Sequence, residues 1–155
     1  IYDDIGNNSD KNINILFKII KRVYLLPVPS NTGLRQPIHV SQLGQVIIKI
    51  SKKYIENHKC QKSIEVINIG GDEEITYQEI LNRIKKSFFD SGNIQNCIFI
   101  KIPNRLFFLL CIPIMIFSPK TFEAIQRITI NMSGFTMSYK ITGLDKKKFP
   151  VKSSN

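Results

Sequence analysis

The chain has no tryptophan, only two histidines and three cysteines, and none of the short patterns from which a reaction is usually read. No GxGxxG or GxxxxGKS/T spacing supplies a glycine-rich phosphate turn. No GxSxG, HExxH or Tyr-x-x-x-Lys arrangement supplies a nucleophile, a zinc pair, or a tyrosine base with its lysine. Tyr54 is followed by Lys59 five places on, and no lysine stands four places after Tyr77. Spacing alone therefore nominates no catalytic group. Cys60, Cys97 and Cys111 form no CxxC pair, and an odd count leaves one thiol single under any pairing. That argues against a disulfide scaffold or zinc knuckle and fits free thiols in a reducing cytosol. His39 and His58 stand in no metal-type spacing and read as packed or surface side chains. Three consecutive carboxylates, Asp72 to Glu74, cannot converge on one ion from a regular element, and they read as a solvated turn ahead of a helix.

A membrane-spanning run is also missing. Leu106 to Phe117 is apolar for 12 residues, preceded by Lys101 and Arg105 and interrupted by Pro113, whereas a spanning helix needs about 20. Such a helix packs in a core or domain interface, or lies on a membrane surface. The N-terminus carries no charged segment followed by an apolar stretch and a small-residue cleavage site, so no export signal is visible. The chain opens on Ile1, and "IYDDIGNN" reads as the end of a buried strand entering a polar loop, so the expectation is that the start is missing.

What is present is one domain's worth of globular chain. Over 155 residues, 43% hydrophobic and 22% charged suits a single folded unit. The net charge of +10 permits a polyanionic partner only if the cations cluster. They are scattered through "KIIKR", "KISKK", "RIKK" and "LDKKK", at helix ends and on polar faces, and no aromatic residues interleave a basic stripe, so nucleic acid is not expected.

Asp10 or Asn12 begins a helix with Ile13, Leu16, Phe17, Ile20 and Val23 at helical spacing. The extended "VYLLPVP", the loop "SNTG" and the short "LRQPIHV" follow, with Pro37 barred from a central ladder. Ser41 is expected to cap a helix from about Gln42 to Asn57. "SIEVINIGG" alternates like a strand and stops at Gly70-Gly71; those glycines resemble a phosphate-binding turn without its full spacing. "TYQE" has capping-box form, Thr76 accepting from the first-turn amides and Glu79 reaching back, which predicts a helix to about Phe88. A turn "DSGN", a strand "NCIFIKI", a helix opened by Pro103, a helix from Ser118-Pro119 to about Asn131, and "GFTMS" with a short last helix complete an α/β pattern.

The order of these motifs carries a resemblance. "IY", "DKNINILFKIIKR", "LRQPIHVSQLGQVI", "INIGGDEEITYQEIL" and "SYKITGLDKKKFP" together resemble the C-terminal half of the NAD-dependent epimerase/dehydratase family, extended short-chain dehydrogenases acting on nucleotide sugars. The family pattern has Tyr-Gly, Asn-Ile or Asn-Leu, Arg-Asp-x-(Ile/Val)-His-Val-x-Asp-Leu, a strand ending Asn-Leu-Gly, (Ser/Thr)-x-x-Glu, and a closing Ser-Lys-Ala with Leu-Gly-Phe-x-Pro. Here Asp3 follows Tyr2, Gln36 and Gln42 replace the two aspartates around "IHV", and Asp145 replaces a glycine.

The resemblance implies the last strand and helix of an extended Rossmann-type fold plus a small mixed α/β substrate lobe, as one unit over 1–155. It implies a nucleotide-sugar substrate, with Arg35 near its phosphates, Asn12 before the first lobe helix, and Arg127 near a further family arginine. NAD belongs to the complete family enzyme and is not expected to bind this chain alone, because the glycine-rich turn and Tyr-x-x-x-Lys pair of the N-terminal half are absent. The function expected is therefore the substrate-binding part of such an epimerase or dehydratase, a fragment or a truncated product inactive alone; a homodimer is left open for the complete enzyme. The rival reading is a non-enzymatic membrane-surface module built on the 106–117 helix and the positive charge. Location is expected to be cytoplasmic, with or without weak membrane-surface association.

Overall fold

A computed structural model describes residues 1–3, 11–56, 66–90 and 97–150, with the side chains at 11–14, 17 and 88–90 left aside. Its elements are α1 (Lys11–Arg22), β1 (Leu25–Pro29), β2 (Leu34–Arg35), α2 (Val40–Glu56), β3 (Ile69–Gly70), β4 (Ile75–Thr76) and α3 (Tyr77–Asp90). After these come β5 (Ile98–Ile102), α4 (Asn104–Phe117), α5 (Pro119–Gln126), a 3-10 turn (Arg127–Thr129), β6 (Thr136–Met137) and α6 (Ser138–Thr142). The class is mixed α/β, as expected. Strands pair in three two-stranded ladders: β1 with β5 and β3 with β6 in parallel, β2 with β4 antiparallel. In the first, Leu25 faces Ile98 and Pro29 faces Ile102. Two prolines fit in β1 because, among the described residues, it pairs on one side only, where a missing N–H disturbs no second neighbour.

Ile20 of α1, Val28 of β1, Ile75 of β4, and Ile80, Leu81 and Ile84 of α3 form the main core with Cys97. Each fully buried aliphatic side chain contributes about 1.5–3 kcal/mol. Both ends of the described chain close this core. Tyr2 meets Phe149 edge-to-face with ring centroids 4.9 Å apart, and meets the His39 ring at 5.0 Å, the T-shaped geometry that aromatic quadrupoles favour. Main-chain bonds from Tyr2 N to the Ile38 carbonyl (2.9 Å) and from Val40 N to the Tyr2 carbonyl (2.8 Å) fix that contact.

Helix starts differ from expectation in an instructive way. Helix α2 begins at Val40, and its cap is His39 rather than Ser41: His39 Nδ1 accepts from the Ser41 amide at 3.2 Å, and Gln42 Oε1 accepts from the His39 amide at 3.0 Å. That is the reciprocal geometry of a capping box, with an imidazole and an amide in the usual hydroxyl and carboxylate roles. At α3, Thr76 Oγ1 accepts from the Glu79 amide at 3.1 Å as predicted. The Glu79 carboxylate, however, turns along the helix to Arg83 at 2.6 Å instead of back to Thr76, because a cation at i+4 is a stronger partner than a neutral amide.

Other boundaries are corrected too. Within "SIEVINIGG" only Ile69–Gly70 is strand, positions 63–65 lying outside the described residues; its partner β6 is two residues long and can hold no more. The helix expected to reach Asn131 ends at Gln126 and tightens into the 3-10 turn. The turn "DSGN" and His58 and Cys60 fall largely or wholly outside the described residues. Cys97 and Cys111 are buried free thiols, each pushed up by burial, with nearby Lys85 partly opposing this at Cys97.

Candidate functional site

The pair Gly70-Gly71 follows β3 and precedes the acidic turn, where a phosphate cradle would lie. It is filled by this chain's own atoms. A Cβ on Gly71 would fall 1.8 Å from the Pro37 carbonyl oxygen, and one on Gly70 2.5 Å from the Gln36 side-chain carbon. Glycine is required here because the segment 36–38 crosses against it, not because a ligand approaches. Gln36 locks the crossing: its Nε2 donates to the Gly71 and Phe135 carbonyls at 2.9 and 3.0 Å, and its Oε1 accepts from the Phe135 amide at 2.9 Å. The turn does not fit a dinucleotide.

Asp72 comes next, and it corrects the reading of a solvated turn. It is 3% exposed, and its two oxygens accept four donors. Ser138 Oγ (2.7 Å) and the Tyr139 amide (2.9 Å) reach Oδ1; Gln42 Nε2 (2.8 Å) and the Lys147 amide (3.0 Å) reach Oδ2. A carboxylate has about four acceptor positions, so none is left for a metal or a substrate proton. Ser138, 2% exposed and donating to that carboxylate, is a structural hydroxyl rather than a nucleophile. The network ties α2, the 70–72 turn, α6 and the loop at 147 into one block. An amide is required at Gln42, since a second carboxylate would face Asp72 in a buried place.

Only part of the acidic turn is wet. Glu73 accepts from Arg83 Nη1 at 2.7 Å and from the Phe149 amide at 2.8 Å. Burial pushes its pKa up, but the Arg83 and Phe149 hydrogen bonds and the charges of Arg83 and Lys148 outweigh this and leave it below the ordinary glutamate value. Glu74 is exposed and accepts from the Gly134 amide at 2.8 Å. Among the described residues no group of three His, Cys, Asp or Glu is placed to hold a metal ion.

Arg35 lies on β2, half-buried, where the 33–35 segment is stitched to residues 127–132. Gly33 N donates to the Ile128 carbonyl (2.8 Å), Leu34 N to Asn131 Oδ1 (2.9 Å), and Met132 N to the Leu34 carbonyl (2.8 Å). Arg35 adds its guanidinium to this seam, donating to the carbonyls of Arg127 and Ile130. These are the carbonyls of the 3-10 turn and of the residue that follows it, and bonding them to a side chain favours ending α5 there. Burial pulls the Arg35 pKa below its ordinary value, with Tyr77 opposing; burial pushes the Tyr77 phenol up to about 12, with the Arg35 charge opposing. Tyr77 is thus neutral near pH 7 and Arg35 is charged.

Two of the three residues proposed from sequence meet at this corner. Arg35 binds the main chain of Arg127, whose own side chain is exposed. Asn12 is the second residue of α1, and its side chain lies outside the described residues. The three acceptors of the Arg35 guanidinium, the Leu34, Arg127 and Ile130 carbonyls, are neutral, and among the described residues no carboxylate pairs with it. A half-buried guanidinium with no carboxylate partner among the described residues can hold an anion. No family model, no curated protein and no solved structure matches this chain.

Sequence reasoning missed the polar block. Its one legible signal was His39-x-x-Gln42, which has the spacing of an N-cap and its reciprocal partner.

Proposed function

We propose that this chain is the nucleotide-sugar-gripping portion of an NAD-dependent epimerase or dehydratase of the extended short-chain type, with Arg35 and Arg127 as the cationic side of the diphosphate site. The reading rests on the order of motifs from "LRQPIHV" to "SYKITGLDKKKFP". The observation that carries the site is the Arg35 guanidinium, half-buried and without a carboxylate partner among the described residues. A forked donor with permanent charge suits a diphosphate, which offers paired anionic oxygens. In the complete enzyme, NAD would accept the hydride from the sugar. The part of this chain is to bind and orient the substrate.

Calorimetric titration of the chain with a UDP-sugar tests this. Binding is expected, and Arg127→Ala should weaken it about tenfold, the loss of one charge-assisted contact, with thermal stability little changed because the Arg127 side chain is exposed. No tight NAD binding and no turnover are expected from these 155 residues alone. Absence of UDP-sugar binding, or binding indifferent to Arg127, removes the proposal; measurable epimerisation by the chain alone removes its assignment of the chemistry elsewhere.

A further inference from the structure

Helix α4 inverts the usual pattern of a globular helix. Only Phe107 and Cys111 are buried in the protein. Leu106, Leu109, Leu110, Pro113, Ile116 and Phe117 recur at i, i+3, i+4, i+7, i+10 and i+11, which places them on one side. All six are exposed, Ile116 at 72% and Phe117 at 87%. A continuous apolar face of this kind marks a surface that something covers.

The surrounding charge says what. Between Cys97 and Leu144 the only carboxylate is Glu123, against Lys101, Arg105, Lys120, Arg127 and Lys140. Lys101 is the penultimate residue of β5, Arg105 is in the first turn of α4 and Lys120 in the first turn of α5; all three are exposed and flank the apolar run along the chain. A second copy is a poor occupant. Antiparallel pairing of two α4 helices sets the Arg105 end of one against the Lys120 end of the other, and parallel pairing sets like ends together. The apolar stripe also offers no hydrogen-bonding side chain, where protein interfaces use about ten direct hydrogen bonds. At 14 residues and about 1.5 Å per residue, the helix cannot cross a hydrocarbon core of roughly 30 Å, and no described helix is long and apolar enough to do so.

We propose that the outward face of α4 docks on the surface of an anionic lipid bilayer, the apolar stripe entering the headgroup–acyl boundary while Lys101, Arg105 and Lys120 meet lipid phosphates. An interfacial helix buries its apolar face about 5–10 Å deep, and binding combines that burial with attraction to anionic lipid. The inference stands on side chains other than Arg35 and on the opposite chemistry, so it does not depend on the nucleotide-sugar reading, and UDP-sugar titration reports the two separately.

Co-sedimentation of the full chain with vesicles decides it. Vesicles of phosphatidylcholine containing phosphatidylglycerol at about a third should retain the chain, those of phosphatidylcholine alone should not, and about 1 M salt should release it, the Debye length then being roughly 3 Å. Leu110→Glu/Ile116→Glu should cut retention at least about tenfold by forcing carboxylates into the boundary. Lys101→Gln/Arg105→Gln/Lys120→Gln keeps the apolar face and should cut retention roughly a hundredfold, each cation near an anionic surface being worth about a factor of five. Retention indifferent to lipid charge, no retention at all, or a lipid-independent dimer that Leu110→Glu/Ile116→Glu dissociates would each overturn the proposal.

Discussion

The block around Asp72 and the helix α4 are opposites. The first is a polar interior, with Gln36, His39, Gln42, Asp72 and Ser138 all buried; the second is an apolar exterior, with most of its twelve consecutive hydrophobic residues facing out. The contrast shows that burial here follows hydrogen-bond closure rather than hydropathy. A buried carboxylate is tolerable when four donors meet it, and an apolar helix can stay outside when its one inward face is already filled.

The sharpest way to break the comparison is to open the polar block. Asp72→Ala takes the shared acceptor from four donors, two of them in buried bonds, and Gln42→Glu sets a second carboxylate where an amide now donates at 2.8 Å; either should cost about 3–5 kcal/mol in urea denaturation. Gly71→Ala follows at roughly 3 kcal/mol, since the atom it strikes is main chain and cannot step aside. Arg83→Ala removes the partner of both Glu73 and Glu79 and should cost about 1–2 kcal/mol at neutral pH. With it goes part of the acid sensitivity. The folded-state pKa of Glu73 lies below its unfolded value, so its contribution is present above the ordinary glutamate range and is lost as pH falls through the lower folded value; Glu73→Gln should flatten the stability profile there. Tyr77 works at the other end. Its folded pKa is raised, so stability should fall as pH climbs from the ordinary tyrosine value of 10 to about 12, and Tyr77→Phe should remove that slope while changing little at pH 7. Smallest of all, Leu110→Glu on α4 should move stability by no more than about 0.5 kcal/mol, which would confirm that this apolar surface is outside the fold's own accounts.

The sequence made the regular elements legible where one face is periodic. Ile80, Leu81 and Ile84 of α3 are buried as their spacing requires, and Thr76 caps the helix as its motif predicts. What it did not make legible depends on contacts between distant segments. Nothing local to "GGDEE" says that Asp72 turns inward, because its partners are Gln42, Ser138, Tyr139 and Lys147. The end of α5 is likewise decided from far away, beside the carbonyls that Arg35 takes near the other end of the chain. Arg35 itself was singled out from its motif, but its grip on residues 127–130 could not be read from "GLRQP". Apolar content marked α4 correctly as a helix and left open which side of the protein surface it would occupy.

The edge-to-face contact of Tyr2 with Phe149 has a bearing on timing. These rings belong to the same core yet stand at opposite ends of the described chain. During synthesis, α1 and β1 emerge before Phe149 and cannot be sealed until it has left the ribosome. Contacts so distant in sequence also slow the search for the native state, since the loop between them must close first. Helices such as α2 and α3 can form while the chain is still growing; the core they belong to is completed by nearly its last described residue.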